Sequence, residues 1–191
     1  TTFTVSQATA DNTSSVSWTS SQNSNGTSSP TYQPGTFTVS TAINPIYTPS
    51  SDDINLGYVY LKLTGASNST CPTNSSSIRL DIIKKPTVSA SDIQMCSTTS
   101  QVTLNGTASN YQSVNWSVQS GPGSIVANSN NPLNPTYISG LSGNEPTSRT
   151  AIVRLFVSPK TGCPSSTSVY EDVTINIQAL PTVEAGVSGS T

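Results

Sequence analysis

Apolar and polar residues alternate along most of the chain, and this alternation predicts β-strands. The stretches "YVYLKLTG", "IRLDII", "QVTLNGT", "SVNWSV" and "VTINIQ" each place every second residue, mostly Val, Ile or Leu, on one face. A period of two, rich in β-branched residues and bounded by Gly, Pro, Asn and Ser, is typical of strands. In "TAIVRLFVSP" the inward residue is either Ile152 or Val153, depending on the register. One helical turn is expected at "PSSDDINLG", where Ser50 or Ser51 can cap it.

The same pattern occurs twice along the chain. "SVSWTS" matches "SVNWSV", "INPIYTP" matches "LNPTYIS", "TCP" matches "GCP" and "RLDIIKKPTV" matches "TINIQALPTV", with offsets of 98, 90, 92 and 95 residues. The order of the matches never changes, and the offsets drift as they do where loops differ in length. Ordered internal similarity of this kind indicates tandem domains.

The repeats set the predicted domain boundaries. "KKPTVSAS" near the middle returns as "ALPTVEAG" near the end, so "PTV" marks the entry into each copy. We expect a first repeat at residues 1–84 that lacks its N-terminal strand, a second repeat at 85–180, and the first strand of a third at 181–191. The chain is thereby interpreted as a piece of a longer protein.

About seven short strands per repeat predict an all-β fold of immunoglobulin-like (PKD-like) β-sandwiches. The junctions are short and contain proline, as in Lys84-Lys85-Pro86, which favours an end-to-end arrangement of the repeats. Each repeat has an aromatic pair predicted to be in its core, and each tyrosine hydroxyl is expected to find a backbone partner. These core residues are Trp18 and Tyr47 in the first repeat, and Trp116 and Tyr137 in the second.

Composition argues against catalysis. Charged residues make up 8% of the chain and His is absent, while Ser and Thr together account for about a third. Without His, an abundant Ser has no evident base, so we predict that the protein is not an enzyme and needs no cofactor. The net charge of −2 gives no reason to expect nucleic acid or an anionic membrane as partner. No apolar run is long enough for a membrane span, so no membrane insertion is predicted.

Two acidic pairs are candidate metal sites. Asp52 and Asp53 could bind Ca²⁺, although acids also suit the start of a helical turn. Glu171 and Asp172 could meet a cation, although charges that protect a strand edge explain them as well. The structural interpretation is favoured for both, and no metal site is predicted.

The three cysteines leave the disulfide connectivity open. Cys71 and Cys163 are equivalent, while the counterpart of Cys96 in the first repeat would precede Thr1, so Cys71 is expected to have lost its partner. Cys96 and Cys163 could pair within the repeat, or each could pair with a neighbouring repeat across a joint. The two positions are expected at opposite ends of the sandwich, which argues against the bond within the repeat; free thiols are the third possibility.

The run from "PTVSASDIQMC" through "NPTY" and the Cys-containing hairpin to "VTINIQALPTVEAG" resembles the Ig-like/PKD-like tandem repeats of giant Bacteroidota surface adhesins. Within that group it is similar to the SprB-like mobile adhesins of gliding bacteria. The resemblance implies export by type IX secretion, a location at the cell surface through an outer-membrane-associated parent protein, and a filament that moves along the cell and attaches to substrata. It also implies neighbouring repeats, the gliding and secretion machinery, and surface polysaccharide or substratum as partners.

The sequence is compatible with three functions. The first is a non-catalytic stalk segment of a surface adhesin, acting in attachment and gliding motility. The second is a module that binds carbohydrate or protein; its candidate ligand loop is the insertion "SSPTYQPGTF", with Tyr32 and Phe37, which the second repeat lacks. The third is an accessory domain of a secreted enzyme.

Overall fold

The computed structural model describes residues 2–67, 70–143 and 147–186, and the chain divides into two compact units, Thr1–Lys84 and Lys85–Thr191. Apart from one short helix and one 3₁₀ turn, the regular secondary structure of the described residues in both units is β-strand. The predicted all-β fold of immunoglobulin-like sandwiches is therefore confirmed. No helix in these described ranges has the length and apolar character that crossing a membrane requires.

Unit 1 is a sandwich of two antiparallel three-stranded sheets. One sheet has the strand order β1-β4-β3 and the other has the order β2-β5-β6. The elements of unit 1 are β1 (Phe3–Thr4), β2 (Thr13–Ser21), β3 (Thr36–Phe37), β4 (Ile46–Thr48), α1 (Ser51–Leu56), β5 (Tyr58–Ser67) and β6 (Asn74–Asp81).

The helical turn forms where the sequence predicts it, and Ser50 is its cap. The Ser50 hydroxyl accepts from the backbone N–H of Asp53 while the Asp53 carboxylate accepts from the Ser50 N–H, which completes a capping box. Gly57 ends the helix in the left-handed conformation, at φ 84°, which glycine adopts without a Cβ penalty. The helix is thus short because both of its ends are specified locally.

Unit 2 has the same two sheets, two additional strands at its start, and a third additional strand at Gly106–Ser109. The sheet order β12-β13-β9 corresponds to β3-β4-β1, and the order β11-β14-β15 corresponds to β2-β5-β6. The elements of unit 2 are β7 (Thr87–Ala90), β8 (Ile93–Cys96), β9 (Gln101–Thr103), β10 (Gly106–Ser109), β11 (Tyr111–Ser120), β12 (Ser124–Val126), β13 (Thr136–Ile138), β14 (Arg149–Pro159), a 3₁₀ turn (Ser165–Thr167) and β15 (Val169–Gln178).

The two additional strands close unit 2 on two sides. β7 pairs antiparallel with β10, and β8 pairs in parallel with the end of β15. Within the described residues of unit 1, no strand occupies the place of β7 or β8, and β6 is an edge strand. The two copies therefore differ in how well their sheets are covered.

Each unit has its own apolar core between its two sheets. In unit 1 the core is built around Trp18 and Tyr47, and in unit 2 it is built around Tyr137 with the inward residues of β14 and β15. The register left open by the sequence is settled in favour of Val153, which is fully buried together with Ala151, Leu155 and Val157.

The two tryptophans are not equally buried. Trp18 is buried, and its indole N–H donates to the carbonyl of Ala42 at 3.1 Å. Trp116 is half-buried against the core of unit 2, and its Nε1 is buried with no hydrogen-bond partner in the described part of the chain. Only the first ring therefore follows the rule that a buried indole N–H finds an acceptor.

The predicted strand at the C-terminal end is not formed over the residues that can be described. Residues 181–186 have no strand conformation, and Val183 is 96% exposed. A strand needs a partner for its backbone groups, and none of the described residues pairs with this segment. Residues 187–191 lie outside the described part, so the assignment of 181–191 to a third repeat stays a prediction.

Candidate functional site

The two aromatic residues proposed for a ligand loop both turn inward. Tyr32 is 7% exposed. Phe37 is half-buried, with its ring centroid 4.8 Å from that of Tyr47 and 6.0 Å from that of Trp18. Neither ring therefore projects freely into solvent, and the assignment of Tyr32 and Phe37 to a ligand loop stays a prediction.

Tyr32 is held inside by a buried carboxylate. Asp53 has no exposed surface, although it lies in the first turn of α1. Its Oδ1 accepts from the Tyr32 hydroxyl, and its Oδ2 accepts from the Tyr47 hydroxyl at 2.7 Å. The same Oδ2 accepts from the backbone N–H groups of Gly35 at 3.0 Å and of Ser50 at 2.8 Å. Four donors from three chain segments thus meet at one side chain, so both oxygens of this buried group have hydrogen-bond partners.

This network joins the insertion loop to the body of unit 1. Gly35 also donates to the Tyr47 hydroxyl at 3.0 Å, and a Cβ at Gly35 would lie 2.3 Å from the carbonyl oxygen of Thr48. Tyr137, the equivalent of Tyr47 in unit 2, instead donates to the backbone carbonyl of Pro122. The two tyrosines therefore occupy the same place in the fold but use different partners.

The network also changes the pKa of two tyrosine hydroxyls. Burial, with the hydrogen bond to Asp53, raises the pKa of Tyr32 above its ordinary range. Burial is also the main reason why the pKa of Tyr47 is raised. Both groups therefore favour the neutral phenol in the folded state.

We expect unit 1 to lose stability in alkali. A phenol whose pKa is raised by folding contributes stability below its unfolded pKa of about 10, and that contribution disappears as the pH rises through the folded pKa. Thermal melts from about pH 8 to about pH 11, followed at Trp18 in a Trp116→Phe background, should show a falling midpoint above about pH 10. In Tyr32→Phe the fall should be shallower, and an unchanged slope would contradict the linkage.

An open cleft of about 530 Å³ lies beside this network. It is lined by Gln22, Thr31, Tyr32, Asp52, Asn55 and Leu56. Asp52 is already engaged, since its carboxylate accepts from the Gln33 backbone N–H at 2.8 Å. The polar residues that line the cleft are thus one acid, two amides and two hydroxyl side chains.

Neither acidic pair is placed as a metal site requires. The Asp53 carboxylate already accepts the four hydrogen bonds of the buried network. Asp172 forms a bidentate pair with Arg154, in which both N–O distances are 2.7 Å. Among the described residues there is no group of three or more Asp, Glu, His or Cys side chains that could hold a metal ion. The Arg154 hydrogen bond is the main cause that lowers the pKa of the Asp172 carboxyl.

The exposed aromatic side chains lie instead on the sheet faces. On unit 2, Tyr170 is 54% exposed and pairs across the strands with Phe156, while the Arg154 guanidinium stacks on the Tyr170 ring at 3.8 Å. On unit 1, Arg79 lies 4.3 Å from the Tyr58 ring centroid. Neither cluster is predicted from the sequence pattern, although Tyr58 and Phe156 alternate with the inward residues of β5 and β14.

The cysteines occupy opposite ends of unit 2. Cys96 pairs with Gln178 at the end of β15, whereas Cys163 precedes the start of that strand at Val169. The strand between them spans about 30 Å at about 3.3 Å per residue, whereas a disulfide needs Cα atoms within about 7 Å. In the structure no disulfide joins Cys96 to Cys163 within the repeat. Pairing across joints, and the lost partner of Cys71, stay predictions.

Cys96 is expected to be more acidic than an ordinary thiol. The Thr98 hydroxyl donates to its sulfur at 3.2 Å, and this hydrogen bond is the first cause of its lowered pKa. The alkylation rate of Cys96, measured by peptide mass spectrometry against pH, should have its midpoint below the usual value of about 8.5. Thr98→Val should move the midpoint upward, and a midpoint that does not respond would refute the assignment.

Comparisons with known proteins support the fold and leave the family open. Neither a scan against protein-family models nor a search of curated proteins found a match. Among solved structures, the chain is similar to mouse cadherin-23 EC22-24 (TM-score 0.51, 14% identity, covering 86% of this chain and 54% of that one). It is also similar to Drosophila N-cadherin EC1-4, with a TM-score of 0.53 and 11% identity, covering 87% of this chain and 41% of that one. Human protocadherin-24 EC1-2 matches with a TM-score of 0.51 and 9% identity, covering 88% of this chain and 83% of that one. The chain thus spans about half the length of the first two.

Proposed function

We propose that the chain is a non-catalytic repeat segment of a cell-surface adhesin, in which it holds an adhesive part away from the cell. The observation that supports this most directly is the internal use of the polar groups that could do chemistry. Asp53, Tyr32 and Tyr47 satisfy one another inside unit 1, and Asp172 is paired with Arg154. The similarity of the fold to extracellular cadherin repeats agrees with an extracellular, adhesion-type role.

The finer part of this proposal rests on the sequence pattern of the repeats. It places the parent protein among the surface adhesins of gliding bacteria, exported by type IX secretion and associated with the outer membrane. Neighbouring repeats of the same polypeptide, the gliding machinery and surface polysaccharide or the substratum are its proposed partners.

Scattering by the isolated chain tests the stalk. If the two units are arranged end to end, small-angle X-ray scattering should give a maximum dimension well above that of a compact globule of 19.8 kDa. A maximum dimension like that of a compact globule would contradict the stalk function.

An adhesion assay separates the stalk from a binding module. Beads coated with the chain should adhere to surface polysaccharide no better than beads coated with a variant in which Phe156 and Tyr170 are both replaced by Ser.

A second candidate function is direct ligand binding on the outer sheet face of unit 2. The observation in its favour is the exposed pair of Phe156 and Tyr170 beside Arg154. Exposed aromatic and Arg side chains are enriched in binding interfaces. If beads coated with the unchanged chain adhere to polysaccharide and the double Ser replacement abolishes that adhesion, direct ligand binding is supported over the stalk function.

A further inference from the structure

The open cleft of about 530 Å³ beside α1 carries several polar side chains that lie outside the buried network. Its volume lies within the range of about 300–1,000 Å³ that small-molecule sites occupy. Asp52, Asn55 and Leu56 of α1 line it, together with Gln22 and residues 31–32 of the insertion. All of these residues belong to unit 1, so the cleft lies within a single folded unit.

Both amide side chains of the cleft have their oxygens engaged by the protein. The Gln22 Oε1 accepts from the backbone N–H of Ser29 at 2.7 Å. The Asn55 Oδ1 accepts from the Lys84 ammonium at 3.5 Å. An amide side chain has one oxygen and one NH₂ group, and no hydrogen bond among the described residues uses either NH₂ group. The two amides therefore offer donors to a molecule in the cleft.

Asp52 supplies the complementary acceptor. The Oδ2 of its carboxylate accepts from the Gln33 backbone N–H at 2.8 Å, whereas its Oδ1 has no hydrogen-bond partner among the described residues. The carboxylate is thus held by the loop and still keeps one oxygen for a ligand. Leu56, which is 39% exposed, adds an apolar surface beside these polar groups.

The buried network fixes the loop next to α1. The Tyr32 hydroxyl donates to the Asp53 carboxylate, which has no exposed surface, and the next loop residue, Gln33, binds Asp52. Two adjacent loop residues therefore bind two adjacent residues of the helix, which sets the position of the Asp52 carboxylate in the cleft. A site that is fixed before binding loses less conformational entropy when a ligand enters.

Adjacent hydroxyl groups on a sugar ring match this set of donors and acceptors. A hydroxyl is both a donor and an acceptor, so one hydroxyl can donate to the Asp52 Oδ1 while it accepts from the NH₂ group of Asn55. A neighbouring hydroxyl can accept from the NH₂ group of Gln22. The C–H groups of the ring have the exposed side chain of Leu56 as an apolar contact.

Other ligand classes match the cleft less well. Ca²⁺ takes about 6–8 oxygen ligands, whereas the acid that lines the cleft is Asp52 alone. An anion would meet the negative charge of that carboxylate. An extended peptide docks by pairing with an open strand edge, whereas a short helix, a loop and the residue that follows β2 line this cleft.

We propose that the cleft of unit 1 binds a neutral saccharide unit, with Asp52 as the acceptor of its hydroxyl groups, Gln22 and Asn55 as donors to them, and Leu56 against the ring. This inference goes beyond the proposed stalk role and does not depend on it. The scattering dimension tests the stalk, whereas a sugar titration tests the cleft, so that either one can fail while the other holds.

The test is an NMR titration of the full, ¹⁵N-labelled chain with the methyl glycosides of glucose, galactose and mannose, each up to about 100 mM. The side-chain NH₂ signals of Gln22 and Asn55 report directly on the two donors. At least one of the three sugars should shift both signals with a Kd of about 1–10 mM. If none of the three shifts either signal at about 100 mM, the proposal is overturned.

Two replacements of nearly unchanged shape exchange donor and acceptor. Asp52→Asn keeps an oxygen for the Gln33 N–H but loses the charged acceptor, and Asn55→Asp replaces the donor by an acceptor. Each should raise the Kd about tenfold or more, and the backbone spectrum of each variant shows that it is folded.

Asp11→Asn is the matched control, because it removes the same charge from a residue of unit 1 that lines another surface. It should leave the Kd unchanged. If it weakened binding as much as Asp52→Asn, the net charge of the unit and not the cleft would govern binding, and the proposal would fail.

Two further probes separate the saccharide from the other ligand classes. The methyl glycoside of glucuronic acid, which adds a carboxylate to the glucose ring, should bind more weakly than the neutral glycosides because Asp52 repels it. Trialanine should shift neither NH₂ signal. A cleft that binds trialanine and none of the neutral glycosides would be a peptide site, which would contradict the proposal.

Discussion

Asp53→Ala should lower the free energy of unfolding of unit 1 by about 3–5 kcal/mol. The replacement removes the acceptor of four hydrogen bonds, from the hydroxyls of Tyr32 and Tyr47 and from the backbone N–H groups of Gly35 and Ser50. The donors left behind are buried or half-buried, and an unsatisfied buried donor costs about 1–3 kcal/mol. The loss of the capping box adds about 1 kcal/mol.

The measurement is urea unfolding of the full chain, followed by the fluorescence of Trp18 after Trp116→Phe. Asp52→Ala is the matched control, because Asp52 is the adjacent acid on the same helix and accepts one hydrogen bond, from the Gln33 N–H. We expect it to cost about 1 kcal/mol or less. Equal effects of the two replacements would show that Asp53 is merely another helix-start acid.

The comparison of Asp52 with Asp53 shows how far the sequence reaches. Helix-start preferences predict an acid in the first turn and either Ser50 or Ser51 as the cap, and the structure has the acids and Ser50 as the cap. They do not predict that Asp53 is buried, because its partner Tyr32 lies 21 residues away in a loop without periodicity. For the same reason the sequence does not predict that Tyr32 and Phe37 are buried or half-buried. Their contacts are tertiary, and strand alternation gives no information about loops.

The alternation of apolar and polar residues predicts burial correctly where other strands cover the apolar face of a strand. The inward positions of β15 were predicted, and Val173, Ile175 and Ile177 are all buried. The same reasoning placed Ile78 and Leu80 of β6 on one inward face, but Ile78 is largely exposed and Leu80 is half-buried. The alternation of a strand specifies which face is apolar, whereas the extent of burial depends on which other strands are present.

Ile175→Ala should destabilise unit 2 by about 2–5 kcal/mol, and Leu80→Ala, its equivalent in unit 1, should cost about 1 kcal/mol. Ile175 is completely buried in the core of unit 2, where it pairs with Ala151 on one side and with Ile93 of β8 on the other. Removing its side chain leaves a cavity that neighbours on both sides keep open. Leu80 is half-buried and has a strand neighbour, β5, on one side among the described residues.

Trp116 reports on unit 2 and Trp18 on unit 1, so each replacement can be followed in the unit it affects by using the matching Trp→Phe background. Ile175→Val, which deletes a single methylene, should cost about 0.5–1.5 kcal/mol and controls for chemistry other than cavity size. Because the two cores are separate clusters, Ile175→Ala should leave the Trp18 transition in place. If it shifted that transition as well, the predicted division at residue 84 into two separately folding domains would fail. If Leu80→Ala cost as much as Ile175→Ala, the apolar face beside β6 would have to be covered in solution as completely as the face of β15.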